Sequence, residues 1–146
     1  TYALHIMVRY ELEKQMIAGT LSVADVPAAW NRLYKEYLGV DVPNDALGCL
    51  QDTHWAGGMI GYFPSYALGS AYGPQMLAKM QEQVGDIWAD VANGDLSKAT
   101  GWLKENIHRH ASFVKPGELF ERVCGKFDAA YFTDYLTRKY TELYDL

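Results

Sequence analysis

The chain has 146 residues, 49% of them apolar and 14% aromatic, and its 13 Lys and Arg against 18 Asp and Glu leave a net charge of -5. That length can bury a core of its own, and so few scattered basic residues exclude the basic patch a nucleic-acid module needs. No run approaches the ~18 apolar residues of a membrane-spanning helix, and two cysteines, Cys49 and Cys124, make no disulfide framework and point to a reducing, cytoplasmic setting.

The first predicted helix runs from Tyr2 to Ala18. Ala3, Ile6, Met7 and Tyr10, then Val8, Leu12 and Met16, recur at spacings of three and four, and Gly19 stands where the helix should stop. The helix starts at the first residues without a cap or lead-in, which suggests that the natural chain continues upstream. Ser22 and Asp25 offer N-caps before Pro27, and a second helix carries Trp30, Leu33, Tyr34 and Tyr37 to Gly39. A loop with Pro43, Asn44 and Asp45 leads into a short helix over Asp45 to Gln51. Ala56 to Gly61 is glycine-rich and reads as irregular backbone. After Pro64 one long helix is expected to about Ala92, closed by Asn93-Gly94. Asp95 or Ser97 can cap the next, which shows Trp102, Leu103 and Ile107. Pro116 opens a short helix with Leu119, Phe120 and Val123, ending at Gly125. The last helix, from about Asp128, has Tyr131, Phe132, Tyr135, Leu136, Tyr140 and Leu143 on one broad face, read as core or subunit contact. No stretch alternates at period two. The expectation is an all-α chain, 1–146 forming a single helical segment.

Metal chemistry is not legible. The four histidines are His5, His54, His108 and His110, and none is followed by Glu as an HExxH helix requires. His108 and His110 are two apart, so on a helix they point away from each other and read as a solvated helix end. No serine triad, phosphate loop or cysteine with a neighbouring base is recognisable.

The unusual stretch is Gly48-Cys49-Leu50-Gln51-Asp52-Thr53-His54-Trp55, followed by Gly61-Tyr62-Phe63-Pro64-Ser65-Tyr66. Three polar groups stand beside an indole, then glycines that let backbone approach closely, then two tyrosines four apart. A histidine held by a carboxylate, with a phenol nearby, can donate hydrogen bonds to a tetrahedral intermediate. The same residues equally describe a polar core network in which Asp52 orients His54 and the tyrosines pack.

The octapeptide fits GxxQDxHW and resembles a signature of the carboxypeptidase Taq family. His5-Ile6-Met7-Val8-Arg9-Tyr10-Glu11-Leu12-Glu13 is similar to that family's HIxxR(F/Y)ExE helix, and Gly61 to Tyr66 to its GYFPxY stretch. Leu21 to Asn31, Trp102-Leu103 with Ile107-His108, and Lys139-Tyr140 extend the likeness over essentially the whole chain. The resemblance implies part of an all-helical, clam-like, zinc-dependent peptidase with a deep groove, which releases single residues from peptide C-termini. Its zinc would be held by an HExxH helix and a later Glu lying upstream; this chain has neither and so corresponds to the C-terminal portion, with no metal ligands and no expected activity alone.

By that resemblance His54, Tyr62 and Tyr66 are the catalytic candidates, stabilising the oxyanion or the substrate, with the division between the tyrosines left open. Arg9 is the candidate cation for the substrate's terminal carboxylate, through a bidentate guanidinium. The competing reading for Arg9 is a surface pair with Glu13, four residues on. Gln51 and Asp52 are expected to hold His54, while Glu11 and Glu13 are expected to be structural partners within the helices. The partners implied are a peptide substrate, the missing N-terminal part of the same enzyme and a second copy in a homodimer. The rival reading is a metal-free helical binding or assembly module that keeps the fold; an HExxH upstream of Thr1 would decide against it.

Overall fold

The computed structural model describes residues 1–146 and contains helices, turns and no strand. The chain is all-α. Its residues group into two compact units, Thr1–Leu68 and Gly69–Leu146.

In the first unit α1 (Tyr2–Ile17) and α2 (Val26–Leu38) pack together. Both end where the sequence stops them. Gly19 and Gly39 adopt left-handed φ values of 71° and 70°, which relieve helix ends cheaply because glycine has no Cβ. Pro27 sits in the first turn of α2. Asp25 is no cap, because its carboxylate instead accepts the Ser22 hydroxyl at 2.6 Å. Val8 and Leu12 of α1 and Ala29, Trp30 and Leu33 of α2 form the buried core, joined by Leu21, Tyr34, Val42 and Trp55. The two apolar stripes read on α1 divide. Ile6, Val8 and Leu12 are buried, whereas Met7 and Tyr10 are exposed.

Two separate 3-10 turns, Asp45–Leu47 and Cys49–Gln51, replace the single short helix expected over 45–51. Asn44 caps the first by accepting the Leu47 N–H at 3.0 Å. Gly48 separates them for a steric reason: a Cβ there would lie 2.7 Å from Val42 Cγ1 and 3.1 Å from the Asn44 carbonyl oxygen. The first glycine of the octapeptide is thus required by close packing. Residues 54–58 and 60–61 are turns and α3 (Phe63–Val84) follows.

In the second unit the long helix expected to Ala92 is broken. Gly85 turns left-handed at φ 79°, and the Asp86 carboxylate accepts the Trp88 N–H at 2.9 Å, opening α4 (Trp88–Ala92) as a separate element. Next come α5 (Ser97–Asn106), α6 (Pro116–Cys124) and α7 (Ala130–Tyr144). Asp95 accepts the Ser97 N–H at 2.8 Å just ahead of α5, whose N-cap position is Leu96. Met80, Ile87 and Trp102 form the core, and Tyr72, Phe120 and Phe127 make an aromatic cluster beside it. Buried Gln75 donates to the carbonyls of Cys124 and Lys126 and accepts the Asp128 N–H, fastening the turn between α6 and α7. No residue of α7 is buried. Its tyrosine stripe is amphipathic but is not core within this chain.

Candidate functional site

The octapeptide, the start of α3 and the exposed end of α1 meet inside the first unit. Asp52 is the centre of the arrangement. Its side chain is 2% exposed, and the end of a 3-10 turn aims it at α1. One oxygen, Oδ2, accepts from Arg9 Nε at 2.5 Å. The other, Oδ1, accepts both the backbone N–H of His54 and its ring Nδ1–H, each at 2.9 Å. Burial alone would raise this carboxyl. The bonds from Arg9 and His54 outweigh it and hold Asp52 below the ordinary aspartate range, so it is ionised at neutral pH.

An ionised carboxylate only accepts, so the His54 proton resides on Nδ1. The other nitrogen, Nε2, lies 3.1 Å from the Tyr66 hydroxyl. In the neutral ring Nε2 accepts from that hydroxyl; in the protonated ring it donates. Tyr66 stays a phenol, because burial and neighbouring Tyr62 raise its pKa. Packing also fixes the imidazole: Phe63, 1% exposed, lies with its centroid 4.8 Å from the His54 ring. Tyr62 is 44% exposed and stacks more loosely, with centroids 6.1 Å apart and planes at 27°.

Arg9 pairs with Asp52 and not with Glu13. A guanidinium has five N–H donors, and three are engaged by Asp52, by the His5 carbonyl at 2.9 Å and by the Tyr34 hydroxyl at 3.3 Å. The plane also lies over Trp30, 4.7 Å from its centroid. Nη2 alone has no protein acceptor. The bidentate grip expected from sequence therefore has only one nitrogen left for it, because Nε and Nη1 are committed.

Gln51 is placed otherwise than expected. Its amide donates back to the Ala46 carbonyl across the 3-10 turns and does not hold His54. His5 and Tyr34 were not singled out from sequence. His5 Nδ1 lies 3.2 Å from the Tyr34 hydroxyl, and burial followed by the Arg9 charge lowers the His5 pKa. Two signals were available: His5 opens the HIxxR(F/Y)ExE likeness, and it precedes Arg9 by four residues on α1. His5, Arg9, Asp52, His54, Phe63 and Tyr66 all line one open cavity of about 590 Å³.

No group of three or more His, Cys, Asp or Glu is placed to hold a metal ion. His108 and His110 occupy one 3-10 turn of the second unit. The residues present do not fit a zinc site.

The chain matches the carboxypeptidase Taq (M32) metallopeptidase family over residues 1–140. It is 43% identical over 145 residues to carboxypeptidase 1 of Bacillus subtilis, covering 99% of this chain and 29% of that protein. To thermostable carboxypeptidase 1 of Thermus thermophilus it is 41% identical, with 99% and 28% covered. It superposes on the M32 carboxypeptidase from Deinococcus radiodurans with a TM-score of 0.94 at 41% identity, over 99% of this chain and 30% of that one. For the Trypanosoma cruzi metallocarboxypeptidase 1 the TM-score is 0.88 at 37% identity, over 95% and 30%. The chain thus spans about 29% of the length of the relatives it matches. With the family matched over residues 1–140 and relatives 43% and 41% identical over 99% of its residues, the chain belongs to the carboxypeptidase Taq (M32) metallopeptidase family.

Proposed function

We propose that this chain is the C-terminal part of a metal-dependent carboxypeptidase releasing single residues from peptide C-termini, and that it supplies the wall of the active site facing the metal-binding part. The observation that carries this is the unbroken chain of bonds from Arg9 through Asp52 and His54 to Tyr66 at the edge of one cavity. Zinc, as the family resemblance implies, would be held by residues this chain does not contain. The peptide substrate, the remainder of the same enzyme, a homodimer and a cytoplasmic setting belong to the same reading, and the chain alone is inactive.

In this reading Asp52 keeps the imidazole oriented, and protonated His54 donates from Nε2 to the oxyanion of the tetrahedral intermediate. Tyr66 is the better placed phenol, since its hydroxyl already reaches Nε2. Tyr62, exposed beside it, contacts the substrate. Arg9 offers Nη2 to the terminal carboxylate while its other nitrogens hold Asp52. A metal-free assembly module would have no use for a cavity lined by an aligned Asp-His-Tyr series.

The test is His54→Ala in the whole enzyme. It should lower kcat on the order of a hundredfold to a thousandfold with metal content unchanged, because the donor acts on the intermediate and not on the metal. Normal turnover would return His54 to a packing role. Matched free-acid and amidated peptides separate out Arg9: Arg9→Ala should lose more on the acid, and an equal loss on both would confine Arg9 to holding Asp52.

A further inference from the structure

Glu13 is a carboxylate only 6% exposed, and no Lys or Arg pairs with it. A buried carboxylate without a cation persists only where N–H donors replace water. Glu13 has two such donors. Oε2 accepts the indole N–H of Trp55 at 2.9 Å, and Oε1 accepts the backbone N–H of Gly61 at 2.7 Å. Trp55 directly follows His54, and Gly61 directly precedes Tyr62. One side chain on α1 therefore fastens both ends of the turn that carries these two residues.

Apolar packing holds the flanks, where Trp55 joins the α1–α2 core and Phe63 is buried, but not the turn between them. Residues 56–62 are all exposed, so buried apolar packing does not fix them. Within the turn the bonds are short-range, such as Gly57 N–H to the Thr53 carbonyl and Met59 N–H to the His54 carbonyl. These shape the loop but do not tie it to a helix. Gly61 itself is left-handed at φ 76°, turning the chain into Tyr62 and buried Phe63. Its N–H is the point where that turn meets α1.

We infer that Glu13 is a positioning residue. It sets the place of His54 relative to Tyr62 and acts on the reaction through His54, without touching substrate. This rests on His54 being the oxyanion donor. The carboxylate form is required because each oxygen serves one donor. A glutamine keeps the shape but offers a single acceptor and turns its own NH₂ toward the other N–H.

The experiment is a kinetic cycle of Glu13→Gln, His54→Ala and the double variant in the intact enzyme, with hydrogen exchange of the Trp55 indole and Gly61 amide on this chain. Glu13→Gln should lower kcat about tenfold to a hundredfold, the usual effect of losing a partner that orients a reacting group, with KM within about twofold. In the His54→Ala background the same change should cost less than about threefold, since residues acting as a unit are not additive. Exchange at Trp55 or Gly61 should quicken while the Trp102 indole, bonded to Gln83 at 2.7 Å, stays protected. If Glu13→Gln fails to fold, Trp55→Phe removes one donor and should show the same dependence on His54. Equal losses in both backgrounds mark a purely structural residue and overturn the inference, as do unchanged exchange or normal kcat. The two readings fail differently: a fast His54→Ala enzyme sinks the oxyanion role and this inference with it, whereas a slow His54→Ala beside a normal Glu13→Gln sinks this inference alone.

Discussion

Removing Arg9 should destabilise the chain far more than an ion pair of that length usually warrants. Arg9 Nε and Asp52 Oδ2 are 2.5 Å apart, with side chains 16% and 2% exposed. Arg9→Ala leaves Asp52 a buried charge held only by His54, and stranding one partner of a buried pair costs on the order of 3–5 kcal/mol. The lost contact over Trp30 adds up to about 1 kcal/mol. The control is built into the same chain. Arg122 and Glu118 are also 2.5 Å apart, but their side chains are 59% and 54% exposed, so Arg122→Ala should cost under about 1 kcal/mol. Distance is equal in the two pairs, and burial is the difference that decides the cost. Urea unfolding of the three proteins, followed by tryptophan fluorescence at pH 7, measures both costs. Arg9→Ala with Asp52→Asn should be more stable than Arg9→Ala alone, because the stranded charge is gone. An Arg9→Ala cost similar to that of Arg122→Ala would refute the reasoning and show that water reaches Asp52.

Two further outcomes follow from the same site. The folded-state pKa of Asp52 lies below its unfolded value, so its contribution to stability is full above the ordinary aspartate value of about 3.9 and is lost as pH falls through the lowered folded value. Arg9→Ala removes the chief group holding it down, so acid titration by circular dichroism should show the loss beginning at higher pH; an unshifted acid transition would mean that Arg9 does not set it. After dialysis the chain should retain far less than one zinc per molecule, since no three ligands converge. Atomic absorption measures this, and stoichiometric retention would require a site that the geometry lacks.

Helix spans were legible wherever the signal is local. Glycines with positive φ end α1 and α2 as the periodicity predicts, and Pro27 and Asp95 mark starts. The break at Gly85 was not, because a single glycine inside an apolar period is tolerated in many helices; here its left-handed φ of 79° ends α3 and the Asp86 bond to Trp88 opens α4. The α7 stripe shows a related limit: amphipathicity says that a face is apolar, not what lies against it. In the site, the pairing of Asp52 with His54 spans two residues and could be foreseen. The pairing of Arg9 with Asp52 spans 43 and could not. Local spacing even pointed elsewhere, since Arg9 and Glu13 are four apart on α1. Each instead takes a partner from the 52–61 stretch, Arg9 its aspartate and Glu13 its tryptophan and Gly61 amide.

Those two choices share one physical cause. Both side chains leave α1 toward a stretch of turn and irregular backbone just past the Cys49–Gln51 3-10 turn, short of regular ladder bonds and with exposed residues from 56 to 62. Such a segment cannot hold its shape by packing, so its polar groups must be met from outside. Charged residues are suited to that task because ionised hydrogen bonds are stronger and more directional than neutral ones. Arg9 meets the carboxylate before His54, and Glu13 meets the indole after it. The histidine is thereby held from both sides in the chain by groups one turn apart on a single rigid helix. The cationic anchor neutralises the Asp52 carboxylate, whereas the anionic one meets only neutral N–H donors. Exchanging the two, Arg9→Glu with Glu13→Arg, would preserve composition and helix propensity but set a carboxylate against Asp52 and a donor against the Trp55 and Gly61 N–H groups, so both anchors depend on charge order along α1 and not on charge content.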